Sequence, residues 1–144
     1  MRTFMEEYRR WMDSPSLSEE EWKELNSISE DEKEIENRTK QAQWSREHIE
    51  EYPMNWFYYF EAVPGKDEYF ITHKQCGICK LTRQEHCEQI TKFLCMMDYY
   101  TFEMQGAVLD RTKTLGYGDD ECNFHLMSRA RADELGFVKS PDAK

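Results

Sequence analysis

The sequence predicts an α+β fold in which N-terminal helices precede a β-β-α-β-β unit, with an antiparallel sheet packed against helices. Three observations support this prediction. Apolar residues recur at helical spacing in the N-terminal third, aromatic and β-branched runs begin at residue 55, and these runs form two pairs separated by a second helical stretch. The 144 residues fit a single domain over 1–144, which is large enough to bury a core without metal or disulfides.

Residues 1–52 are predicted to be a helical N-terminal segment. In "TFMEEYRRWM", residues 3–12, apolar side chains repeat every three or four positions. A serine followed by early carboxylates near residue 18 favours the start of another helix. The charged stretch 27–52 has two interpretations, a solvated helix over a core or an acidic linker. Pro53 ends the segment.

Residues 55–128 are predicted to form the β-β-α-β-β core. The first strand pair, 55–63 and 68–76, surrounds the turn sequence "PGKD". Residues 81–104 return to helical spacing, and a second strand pair flanks "GYGDD". The last strand alternates between two faces, of which one is expected to be core. The tail 137–144 is expected to be frayed.

The charge of the chain restricts its partners. Lys and Arg number 19 against 29 Asp and Glu, a net charge of -10. This balance argues against nucleic acid and anionic membrane surfaces, because binding to phosphates requires positive charge. The N-terminus lacks the apolar core of a secretory signal, and no apolar run is long enough to span a membrane. We therefore expect a cytoplasmic protein that binds a small molecule or a protein; the oligomeric state is not indicated.

The motif "CGIC", residues 76–79, could bind zinc, form a redox pair or pack in a core. A structural zinc site typically needs a second close ligand pair, which the sequence lacks. A thioredoxin-like pair occurs among parallel strands, whereas the strands here are predicted to pair as hairpins. We therefore interpret Cys79 as a core residue at a helix start, and expect Cys76 to act with residues far along the chain.

Cysteines and one aspartate from separate segments could meet at a site. Cys87, Cys95 and Asp98 fall on one face of the predicted helix, which thus presents two thiols and a carboxylate. Cys76 at a strand end and Cys122 on the last strand could face them. A carboxylate can orient water or accept a proton, and a thiolate can act as a nucleophile. The alternatives are thiols that only fill the core, and a metal site at Cys76, Cys95 and Cys122. The sequence requires no cofactor but allows a metal ion.

Arg111 is the candidate for binding an anion. It lies within the predicted strand "LDRTKTL", neither face of which is cleanly apolar. If Arg111 faces the helix, its buried guanidinium needs a negative partner. Two partners remain open, a substrate carboxylate or an ion pair with Asp98 or Asp119. The histidines are expected to be surface or structural residues, at positions 48, 73, 86 and 125.

The stretch from Cys76 to Phe124 resembles the L-2-amino-thiazoline-4-carboxylic acid hydrolase family. The similarity lies in three pieces, namely Cys76, then "FLCMMD" with Cys95 and Asp98, then "DRTKTLGYGDDECNF" with Arg111, Thr112, Thr114, Gly118, Cys122 and Phe124. The chain departs from this pattern at Asn123, where an acidic residue is expected. The segment is also similar to 4-vinyl reductase-like sensor domains, which bind small molecules without catalysis.

The resemblance implies hydrolytic opening of a small thiazoline amino acid to S-carbamoyl-cysteine. In this interpretation Arg111 and Thr112 bind the substrate and Asp98 acts as base or orients water. Cys95 or Cys76 serves as nucleophile or as a metal ligand. The alternative is a non-catalytic ligand-binding domain with the same pocket.

Overall fold

The computed structural model describes residues 32–138. This part of the chain contains four helices and four strands, which are α1 (Glu32–Glu47), β1 (Phe57–Ala62), β2 (Glu68–Gln75), α2 (Gly77–Gln84), α3 (Thr91–Met104), β3 (Ala107–Asp110), β4 (Cys122–Ser128) and α4 (Arg129–Glu134). Short 3-10 turns lie at Glu88–Ile90 and Leu115–Tyr117. None of the described helices has the length and apolar character that crossing a bilayer requires.

The four strands form one antiparallel sheet in the order β1-β2-β4-β3. The predicted α+β class is therefore confirmed. The β1–β2 hairpin turns at "PGKD", where Gly65 has φ 67°. Left-handed backbone of this kind is accessible to glycine at little cost, which explains its position in the turn.

One face of the sheet carries the core. Paired residues of neighbouring strands project to the same side, so Phe60, Ile71 and Phe124 lie in one row across β1, β2 and β4. The buried cluster consists of Tyr69, Ala107, Leu109 and Leu126, and Tyr99 and Phe102 of α3 pack against it. The face of the last strand that carries Phe124 and Leu126 is therefore the core face.

Helix α1 is highly charged but folded. It buries Ala42 and Ser45 and carries an ion pair between Glu34 and Arg38 at 2.7 Å. Arg46 Nη1 donates to the Tyr58 carbonyl at 2.8 Å, which attaches the helix to β1. Over residues 32–47 the solvated-helix interpretation is therefore correct. The helices expected before residue 32 and most of the tail lie outside the described residues.

The helical stretch predicted over 81–104 is divided. Helix α2 begins earlier, at Gly77, and the chain turns at His86, which has φ 53°. The hydroxyls of Thr82 and Thr91 hydrogen-bond across this turn at 2.7 Å. The Cys87 N–H donates to the Thr82 carbonyl at 2.8 Å. These bonds replace the continuous helical ladder, so Cys87 lies between two helices.

The third strand, β3, ends at Asp110 and is therefore shorter than predicted. The next N–H groups, of Thr112 and Lys113, donate to Asn123 Oδ1 at 3.1 and 2.6 Å. A side-chain amide thus takes the place of a strand partner. The chain leaves the sheet at Arg111, which positions this residue beside α3.

Candidate active site

A cavity of about 310 Å³ lies at the end of the core face of the sheet, next to α3. Most of the predicted site residues line this cavity, namely Cys76, Cys95, Asp98, Arg111 and Cys122. They come from the end of β2, from α3, from the loop after β3 and from the start of β4. Thr112 is not among the lining residues. The fold thus brings thiols, a carboxylate and a guanidinium around one space.

Arg111 is the most buried charged side chain of the cavity, with 1% exposure. Its Nη1 donates to Asp98 Oδ2 at 2.6 Å and its Nη2 to the Cys95 carbonyl at 2.7 Å. The guanidinium lies 5.2 Å from the ring centre of Tyr99 and 4.8 Å from that of Phe124. Of the two partners left open by the sequence, the structure contains the ion pair with Asp98.

Among the described residues, Asp98 is the one acidic residue that lines this cavity. Its side chain is 38% exposed, in contrast to that of its partner Arg111. Burial raises the pKa of Asp98, and the hydrogen bond and charge of Arg111 oppose that shift. The carboxyl group therefore binds a proton more readily than an ordinary aspartate.

Cys76 is the activated thiol of the cavity. It is the N-cap of α2, with extended backbone at φ -120° and ψ 122°. Hydrogen bonds from the Cys79 thiol, from the N–H groups of Cys79 and Ile78 and from the Trp56 side chain lower the pKa of Cys76 to about 6, although burial opposes them. At neutral pH this sulfur is a thiolate, the form that attacks electrophiles.

Cys79 is only partly buried, which corrects its interpretation as a core residue, and its thiol lowers the pKa of Cys76. Gly77 between them lets the chain at Met54 approach α2, because a β-carbon at Gly77 would overlap the Met54 carbonyl oxygen. "CGIC" is therefore a local motif in which both cysteines participate.

Cys95 and Cys122 differ from Cys76 in their protonation. Burial raises the pKa of Cys95, and burial raises that of Cys122 to about 11. The 3-10 turn at 115–117 contacts both sulfurs, because the Leu115 N–H donates to Cys122 Sγ at 3.2 Å and the Gly116 N–H to Cys95. These two thiols line the cavity in their neutral form.

The metal alternative at Cys76, Cys95 and Cys122 is not supported. Within residues 32–138, no group of three or more His, Cys, Asp or Glu side chains is arranged to hold a metal ion.

Thr112, in the loop that carries Arg111, does not line the cavity but is hydrogen-bonded to Asn123. Its hydroxyl accepts a hydrogen bond from Asn123 Nδ2 at 2.9 Å, and its N–H donates to Asn123 Oδ1. Asn123 thus shapes the loop that carries Arg111. The amide can donate and accept at once, which an acidic residue in its ionised form could not do.

Sequence reasoning missed two further cavity residues, Trp56 and His73. Burial, and then the charge of Arg111, lower the pKa of His73 to about 4, so the ring is neutral at pH 7. Its Nδ1 is buried with no hydrogen-bond partner within the described part of the chain. The signal for His73 was available, because it shares a strand face with Tyr69 and Ile71. The sequence contained no comparable signal for Trp56.

The comparisons with known proteins agree with the resemblance seen in the sequence. The model of the L-2-amino-thiazoline-4-carboxylic acid hydrolase family matches residues 6–126, which is most of the chain and includes every residue of the cavity. Neither a curated protein nor a solved structure matches. The similarity to 4-vinyl reductase-like domains is not confirmed. The chain belongs to the L-2-amino-thiazoline-4-carboxylic acid hydrolase family.

Proposed function

We propose that this protein hydrolyses a cyclic C–N bond of a small carboxylate-bearing substrate, such as a 2-aminothiazoline amino acid. One observation carries the proposal. An activated cysteine, a carboxyl group with a raised pKa and a buried arginine lie on the walls of one cavity. The cavity volume of about 310 Å³ suits a ligand of this size.

Cys76 is the nucleophile in this proposal. Its thiolate attacks the ring carbon that lies between sulfur and nitrogen, and the bond from that carbon to the ring nitrogen breaks. The nitrogen leaves as an amine after it gains a proton, and the substrate carbon stays bonded to Cys76. A water molecule then attacks this carbon and expels the Cys76 thiolate, which yields S-carbamoyl-cysteine. Cys95 does not compete, because burial raises its pKa.

Asp98 supplies the proton to the departing nitrogen and then accepts one from the attacking water. Its raised pKa supports both roles, since a general acid must hold its proton at the working pH. Arg111 fixes the carboxyl group through the 2.6 Å hydrogen bond. Its charge also attracts the substrate carboxylate, and Thr112 contributes indirectly through the loop that Asn123 shapes.

A ligand-binding domain without catalysis is the second candidate. The apolar part of the cavity wall favours it, because Trp56, Leu94 and Phe102 offer contact surface but no chemistry. In that case Cys76 and Asp98 would contact the ligand without turnover.

The test is incubation of the full-length protein with L-2-amino-thiazoline-4-carboxylate, with chromatography of the products. We expect ring opening by the wild type, no detectable product from Cys76→Ser, and a loss of at least about 100-fold from Asp98→Asn. The rate should rise with pH and be half-maximal near pH 6, where Cys76 loses its proton, and should fall again at higher pH once Asp98 is deprotonated. Acid quenching should trap substrate mass on the peptide that contains Cys76.

Cys87→Ser is the matched control, because Cys87 is partly buried like Cys76 but does not line the cavity. It should retain wild-type activity. Full activity of Cys76→Ser would contradict the nucleophile assignment. Saturable thermal stabilisation by the compound with no product would favour the binding domain.

A further inference from the structure

The two cysteines of "CGIC" form a pair on one turn of helix. Cys76 caps α2 and Cys79 lies three residues later, a spacing that places side chains on the same helix face. Both residues are partly exposed and both thiols are free. The interaction of the Cys79 thiol with Cys76 also lowers the pKa of Cys76, which is consistent with neighbouring side chains. A Cys-x-x-Cys pair at the first turn of a helix has the spacing from which a disulfide can close.

The two sulfurs have opposite proton affinities. The pKa of Cys76 is about 6, whereas the hydrogen bond to Cys76, burial and the negative charge of the Cys76 thiolate raise that of Cys79. The pair therefore holds one thiolate and one thiol at neutral pH. The thiolate attacks first, and the thiol becomes a better nucleophile once the neighbouring charge has been removed.

The other cysteines do not share this geometry. Cys95 and Cys122 each accept an N–H from the turn at 115–117 and keep their protons. Cys87 lies outside the cavity, in the connection between α2 and α3. Within residues 32–138, which contain all five cysteines, Cys76 and Cys79 are the pair that lies on one turn of helix with one lowered and one raised pKa.

We propose that Cys76 and Cys79 form a reversible dithiol–disulfide site that exchanges with small-molecule disulfides. The Cys76 thiolate attacks one sulfur of the disulfide and releases a thiolate, which leaves a mixed disulfide on Cys76. Cys79 then attacks the Cys76 sulfur, its proton passes to the released thiolate, and the second half of the reagent departs. The protein pair loses two electrons and becomes a disulfide, and the reagent is reduced to two thiols.

Oxidation would also switch off hydrolysis, because a disulfide occupies the sulfur that the proposed reaction uses. This consequence depends on the proposed function, whereas the exchange reaction does not. A protein that failed to open the thiazoline ring could still form the disulfide. The two proposals therefore fail separately.

The test uses full-length protein equilibrated with mixtures of reduced and oxidised glutathione, followed by acid quenching, alkylation and peptide mass spectrometry. In the wild type we expect the number of alkylatable cysteines to fall from five to three as the oxidised fraction rises. The two blocked residues should be Cys76 and Cys79, joined to each other. Reduced glutathione in excess should restore all five.

Two variants make the result specific. Cys79→Ser removes the second thiol, so we expect glutathione to accumulate on Cys76 instead of an internal disulfide. Cys87→Ser should form the Cys76–Cys79 disulfide as the wild type does. The proposal would be overturned if no internal disulfide formed at any ratio, if stable glutathione adducts accumulated on wild-type Cys76, or if Cys76 paired with Cys95 or Cys122.

Discussion

Two ionic clusters on opposite faces of the same sheet are built differently. On the outer face, Glu68 is 7% exposed, and its two oxygens contact His125 Nε2 at 2.7 Å and Arg131 Nε at 2.8 Å. On the core face, Asp98 has one ion-pair partner among the described residues, Arg111, and its side chain is 38% exposed toward the cavity. Both oxygens of Glu68 therefore contact cationic or ionisable groups, whereas those of Asp98 do not both do so.

The pKa values of the two carboxyl groups move in opposite directions. Burial alone would raise the pKa of Glu68, but the hydrogen bonds from Arg131 and His125 hold it below the usual range. Burial raises the pKa of Asp98 and Arg111 offsets only part of the shift. Pairing on both oxygens makes a structural carboxylate, whereas incomplete pairing beside a cavity leaves a group that can exchange protons.

The largest expected effect is that of Arg111→Ala. This change removes two hydrogen bonds and a buried group packed between two aromatic rings. We expect a loss of about 3 kcal/mol in the free energy of unfolding, measured by urea denaturation. Lys113→Ala, two residues away and half-exposed, should leave the denaturation midpoint unchanged. A midpoint for Arg111→Ala equal to that of wild type would show that the cavity pair is as dispensable as a surface pair.

Acid should weaken the cavity region before the outer cluster. The pKa of His73 is about 4 in the folded chain and near 6.5 when unfolded, so the unfolded state binds more protons between these values. Stability should therefore fall as pH drops from about 6.5 to 4. The loss is at most about 3 kcal/mol, because a tenfold change in proton affinity corresponds to about 1.4 kcal/mol.

His73→Phe provides the control for this pH dependence. The ring would remain among Tyr58 and Phe124 without a titrating nitrogen. The stability of this variant should be flatter between pH 6.5 and 4, as followed by thermal unfolding. An unchanged slope would assign the acid sensitivity to other groups.

A smaller effect should separate the two carboxylates directly. Glu68→Gln leaves His125 without its anion and Arg131 with only its ion pair to Glu134, so we expect a loss of about 1–2 kcal/mol in stability and unchanged hydrolysis. Asp98→Asn retains an oxygen that can accept from Arg111, and should cost less stability but most of the activity. Denaturation and turnover are to be measured in parallel for both variants. A larger loss of activity in Glu68→Gln, with a larger loss of stability in Asp98→Asn, would contradict the assignment of the two carboxylates.

The smallest expected change is that of Gly116→Ala. A β-carbon there would lie 2.7 Å from Cys95 Sγ and 2.9 Å from Thr91 Cγ2, so the turn or these side chains must shift. We expect a cost of about 1 kcal/mol, in the range of a mild overpacking. A crystal structure of the variant should show a displaced turn at 115–117, and unchanged positions would contradict the tight fit.

The extent to which the sequence predicted the molecule depended on the range of the interactions. Strand pairs, the apolar faces and the α+β class follow from local periodicity, which is set by the backbone. The division of the helix at Cys87 does not follow from local periodicity, because it depends on the hydrogen bond between Thr82 and Thr91. The early end of β3 was likewise hidden, since Asn123 supplies the replacement hydrogen bonds from another strand.

The site shows the same division. That Cys95 and Asp98 share a helix face could be predicted from their spacing, whereas the burial of Arg111 depended on which strand face meets the helix. The roles of the individual thiols could not. They depend on donors from distant segments, such as Trp56 for Cys76 and Leu115 for Cys122. Identical side chains therefore acquire different chemistry through neighbours that spacing does not reveal.

The hydrogen bond from Trp56 to the Cys76 sulfur gives the protein an optical probe of its own. An indole beside a thiolate, a neutral thiol or a disulfide emits differently, because each sulfur species quenches the excited ring to a different degree. The emission of Trp56 should therefore follow the charge and oxidation state of the sulfur in real time, without any label. Subtracting the signal of Trp56→Phe would isolate it from the other three tryptophans.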